Sequence, residues 1–109
     1  MNDDIQKAFT QLVAPGATAN FAVTWMQNHV FQYTIANIDT DVAVRAEGSL
    51  DGTNFFNLDV TSLNTTKNAN GTYYMFLTGV PLKTIRFQFV SESGGTAATI
   101  DVVYAGSLV

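Results

Sequence analysis

The stretch VAVRAEGSLDGTNFFNL, residues 42–58, decides the fold. Val42, Val44, Ala46, Gly48 and Leu50 fall on one parity, and Ala43, Arg45, Glu47 and Ser49 on the other. This is the period-2 pattern of a strand with one buried face. Asp51-Gly52 then supplies a dipeptide that tolerates positive φ, and Thr53 and Asn54 lengthen the reversal to a three- to five-residue loop. Phe55 and Phe56 open the returning run. Arg45 and Glu47, two apart, leave the same face and can pair with each other or across to a neighbour, as a surface pair worth roughly 0–1 kcal/mol.

Working outward, the same period recurs. Ala19–Gln27 places Phe21, Val23 and Trp25 on one parity, Asn28-His29 reads as a turn, and Val30–Ile38 aligns Phe31, Tyr33 and Ile35. Beyond the hairpin, Asn54–Val60 offers Phe56, Leu58 and Val60. Thr61–Gly71 is polar and ends in the turn signal Asn70-Gly71. Thr72–Leu77 is apolar on both parities, which predicts cover on both faces. Leu82–Val90 alternates Ile85, Phe87 and Phe89 against Thr84, Arg86 and Gln88; a Ser91–Gly95 turn precedes a last strand with Ala98, Ile100, Val102 and Tyr104. Strands at this spacing predict an all-β chain: a single antiparallel β-sandwich or jelly roll of seven or eight strands, over residues 15–109. Residues 1–14 read separately. Ile5, Phe9, Leu12 and Val13 recur at helical spacing after Asp3 and Asp4, predicting a short N-terminal helix or an extended arm that docks on a neighbour.

Composition narrows the chemistry. At 109 residues without cysteine, one core is expected, with no disulfide and no thiolate site. The net charge is −4, and the five bases Lys7, Arg45, Lys67, Lys83 and Arg86 are scattered, which argues against sequence-independent binding of nucleic acid. Charged residues make up 13% of the chain, about half the ordinary share, so neighbouring copies would repel one another little. No apolar run is long enough to cross a membrane. Acids stand where a signal peptide would be basic, which predicts synthesis and folding in the cytoplasm.

His29 is the lone histidine and reads as an exposed loop residue, so no nucleophilic triad is expected. Asp39, Asp41 and Asp51 lack the spacing of a calcium loop and are explained by turn capping. Catalytic residues, metal ligands and cofactors are therefore expected to be absent. Of the aromatics, Phe21, Phe31, Phe87 and Phe89 belong to the core, whereas Trp25, Tyr73 and Tyr74 suit an oligomer contact or a sugar stack. Interface candidates are thus Ile5, Phe9, Leu12, Trp25, Tyr73 and Tyr74.

The succession VRAEGSLDGTNFFNL, NGTYYMFL and PLKTIRFQFVSESGGTAATIDVVY resembles small β-sandwich structural proteins of tailed bacteriophages, over about the last two thirds of the chain. The motifs are turn and core signatures. The resemblance implies a virion protein, either a capsid decoration subunit or an accessory of the neck, tail or baseplate. Its implied partners are major capsid or tail proteins and further copies of itself, as a trimer if it decorates a capsid. It also makes the Asp51-Gly52 turn and Arg86 fold-defining. The sandwich is similar as well to discoidin-like and carbohydrate-binding jelly rolls, which implies a glycan as the alternative partner.

Overall fold

A computed structural model describes residues 6–58 and 64–108. Nine strands are present among them: β1 (Gln6–Leu12), β2 (Thr18–Met26), β3 (Asn28–Ala36), β4 (Asp41–Ser49), β5 (Phe56–Asn57), β6 (Asn64–Lys67), β7 (Gly71–Leu77), β8 (Leu82–Ser93) and β9 (Thr99–Ser107). They form two antiparallel sheets. One has the order β1-β9-β3-β7; the other runs β2-β8-β4, with β5 and β6 both pairing along the far edge of β4. The described residues contain no helix.

Alternation builds the core between the sheets. Phe31, Tyr33 and Ile35 of β3 and Ile100, Val102 and Tyr104 of β9 point inward against Val42, Val44 and Ala46 of β4 and Ile85, Phe87 and Phe89 of β8. Their rings interlock. Phe21 stacks on Tyr104 at 5.2 Å between centroids, Phe31 meets Phe87 edge-on at 5.5 Å, and Tyr33 lies 4.9 Å from Phe87. Such offset and edge contacts add to area burial by about 0.5–1.5 kcal/mol each.

The hairpin turn after β4 is held by Asp51. Its Oδ1 accepts the Thr53 and Asn54 backbone N–H groups and the Ser49 hydroxyl, and its Oδ2 accepts from Asn54 Nδ2. Gly52 supplies the left-handed φ of 81°. These bonds, that from Asn54 N–H foremost, hold the Asp51 carboxyl well below the usual carboxylate range.

Several sequence expectations change. Gln6–Leu12 is not a helix: β1 pairs residue for residue with β9, from Gln6 opposite Gly106 to Leu12 opposite Ile100. Asn28 and His29 are not a turn but the start of β3, and the chain reverses over Gln27 alone. The parity of Trp25 breaks because Thr24 and Trp25 take φ of 41° and 66°, a bulge that shifts the β2–β8 register between Ala22 and Met26. Trp25 therefore turns outward. The alternation of β4 also slips at its end, where Ser49 is buried and Leu50 exposed. Only Phe56–Asn57 of the returning run is strand, with Phe56 exposed and Leu58 buried, and the polar stretch contributes the short β6. Ile5 and Val60 lie outside the described residues.

Candidate functional site

The two sheets turn opposite chemistries outward. On the four-stranded sheet the residues between the buried ones line up by register: Phe9 opposite Val103, Val103 opposite Gln32, and Gln32 opposite Tyr74. In the next row Lys7 pairs with Ala105, which faces Val30, which faces Phe76. Phe9 is 63% exposed, Tyr74 70% and Phe76 54%, and the Tyr74 and Phe76 rings lie nearly parallel at 6.2 Å. Val30, Phe76 and Ala105, with Asn28, Thr78 and Ser107, line a shallow hollow of about 280 Å³ at one end of this stripe. At the other end the rim is polar: Gln11 Nε2 donates to Asp101 at 2.6 Å, and the Thr34 and Thr72 hydroxyls share a hydrogen bond of 2.9 Å.

Four strands and two rows make a stripe on the order of 300 Å². Covering it contributes about 7 kcal/mol at ~25 cal/mol per Å², which falls within the ~4–15 kcal/mol that association costs. One such face binds weakly. It becomes useful when contacts repeat.

On the five-stranded sheet the outward face is polar. Glu47 is 5% exposed, clamped between Arg45 Nε at 2.8 Å and Arg86 Nε at 2.5 Å, and Arg45 Nη2 donates to Gln88 at 3.1 Å. The Arg86 guanidinium also lies over the Phe55 ring at 4.0 Å. The expected surface pair is in fact a three-membered bridge around a buried carboxylate. Arg86 fastens β8 to β4 and to the hairpin that follows it.

His29 is buried, not exposed. Its Nε2 donates to the Val80 carbonyl at 3.0 Å, which leaves Nδ1 to accept the Tyr104 hydroxyl at 2.6 Å. Burial pushes the imidazole below its ordinary pKa of 6.5 and raises the Tyr104 phenol. The pair ties β3, β9 and the β7–β8 connection together. Asp39 precedes β4 and Asp41 opens it while Asp51 follows it, so the length of the strand separates them by about 30 Å. Among the described residues no three of His, Asp and Glu are grouped to hold a metal ion.

The interface candidates separate accordingly. Phe9 and Tyr74 meet on the apolar stripe. Leu12 faces the core, and Tyr73 turns inward beneath Lys67, whose Nζ sits 4.5 Å above its ring. Trp25 is 47% exposed but belongs to the bulge of β2 in the other sheet. Val30 and Phe76 were not anticipated. The signal was the double parity of Thr72–Leu77, which denotes an exposed apolar face and not cover on both sides.

No family model and no curated protein matches the sequence. Solved structures do match in shape. The SPBc2 prophage-derived protein YomS superposes with a TM-score of 0.57 at 14% identity, over 93% of this chain and 94% of that one. The CBM32 of AlyQ, in complex with 4,5-unsaturated mannuronic acid, gives 0.59 at 14% identity over 93% and 78%. CpGH89CBM32-6 of Clostridium perfringens gives 0.57 at 16% identity over 98% and 96%. The chain thus shares its β-sandwich fold, nearly end to end, with a prophage-derived protein and with CBM32 domains.

Proposed function

We propose that the chain is a non-enzymatic structural protein of a phage particle, a decoration or neck, tail or baseplate accessory, that attaches to major capsid or tail proteins by the outer face of its four-stranded sheet. The observation that carries this reading is the exposed stripe of Phe9, Val30, Tyr74 and Phe76 on a chain with only 13% charged residues. A face of this size holds a partner through repetition, and a particle surface offers identical sites in an array. The shared fold with a prophage-derived protein supports the same reading. Co-sedimentation with particles assembled without the protein tests it. The wild-type chain is expected in the particle fraction, and Phe76→Asp is expected to lower the bound fraction by about tenfold while leaving the melting curve in place. Equal binding by both would refute the reading.

A second reading, glycan binding, is favoured by one observation: Trp25 projects from a strand end in a left-handed conformation on a fold shared with carbohydrate-binding modules. Titration with uronic-acid oligosaccharides, followed by Trp25 fluorescence, distinguishes it. A saturable change supports this reading, and an unchanged spectrum removes it.

A further inference from the structure

Each sheet edge can be asked how it avoids pairing with another chain, since an edge strand carries a row of unused N–H and C=O groups. β2 is interrupted by its left-handed Thr24-Trp25 bulge. The far edge of β4 is closed by β5 and β6, of two and four residues, and β6 carries Lys67. β1 contains Lys7. β7 has none of these devices. Its seven residues, GTYYMFL, include no charge, no proline and no register shift, and among the described residues it pairs only with β3.

We infer that β7 is a pairing edge, and that its occupant is β7 of a second copy, antiparallel about a two-fold axis at Tyr74. Self-pairing suits this strand for two reasons. The segment carries no charge, so two copies of it meet without like charges opposed across the pair, and the two-fold brings Tyr74 beside Tyr74 and Thr72 beside Phe76 on the same outer face. The two four-stranded sheets become one of eight strands. The apolar stripes, each too small alone, join into a single footprint with the Tyr74 and Phe76 rings at its centre. The edge pairs in this way whether or not the joined face meets a particle.

Light scattering and hydrogen–deuterium exchange across a concentration series test it. The wild-type chain is expected to approach twice its mass at high concentration, with backbone amides of residues 71–77 gaining protection as it does. Tyr74→Lys sets two ammonium groups against each other at the axis and is expected to weaken the dimer by about tenfold, whereas Phe9→Lys, three strands away on the same face, is expected to leave it intact. A monomer at millimolar concentration, a mass of three chains, or a dimer without protection of residues 71–77 would overturn the inference. So would loss of the dimer in Phe9→Lys, which would signify stacking of faces. The exchange readout uses only the wild-type chain, so a variant that fails to fold does not blunt the test.

Discussion

His29 accepts a hydrogen bond from Tyr104 through Nδ1 and gives one to Val80 through Nε2, and its burial disfavours the charged ring. The unfolded chain takes up a proton near the ordinary value of 6.5, and the folded one below it. Stability from this group is therefore complete above pH 6.5 and lost as pH falls through the folded value. Urea midpoints are expected to decline on acidification below 6.5, and His29→Gln is expected to remove that part of the slope. Asp51, with its pKa also lowered from 3.8, adds a separate loss at more acidic pH. Gly106 guards the same pair, because a Cβ there would strike the ring and hydroxyl of Tyr104. Gly106→Ala should cost about 1–3 kcal/mol in chemical denaturation, through displacement of that hydroxyl from His29. At Glu47, removal of the carboxylate leaves two guanidinium groups facing each other. Both are about a third or less exposed, so Glu47→Ala should cost about 1–3 kcal/mol, below the range for fully buried pairs.

β3 and β9 could be read from the sequence because their alternation is unbroken and both of their neighbours lie in one sheet, whereas β8 was legible over residues 85–89 only, since Leu82 and Ile85, three apart, are both buried and its register with β4 shifts at Val90. β1 could not. Ile5, Phe9 and Leu12 satisfy a helical period, and what makes residues 6–12 a strand is β9, some ninety residues away. The bulge at Thr24-Trp25 likewise left no local mark, since neither residue favours positive φ. On the apolar face, Phe9 and Tyr74 were legible as amphipathic candidates, but only the register shows that they share a row with Val103 and Gln32. With β1 an integral strand and Leu12 in the core, deletion of residues 1–12 is expected to lower the melting temperature and expose β9. A thermal scan of the shortened chain checks this; an unchanged melt would mean that the β1–β9 ladder contributes nothing.

For the whole molecule, the division of chemistry between the outer faces predicts how assembly responds to conditions. The exposed apolar members of the stripe, Phe9, Val30, Tyr74 and Phe76, carry no charge, and Lys7 stands only at the β1 end of its second row, so attachment through the stripe should depend weakly on salt and should weaken on cooling. The bridge of Arg45, Glu47 and Arg86 lies on the opposite side and keeps the two charge signs away from that contact. Binding measured across a salt series distinguishes this from an ionic interface, which would weaken steeply as salt rises.

The pairing of Gln6 with Gly106 also sets how the fold bears load. These residues sit at the same corner, on adjacent antiparallel strands, so tension applied between them pulls across the β1–β9 ladder and not along it. The hydrogen bonds then break one pair at a time, like a zipper, instead of resisting together in shear. A sandwich fastened at that corner should peel open under low force, beginning with β1.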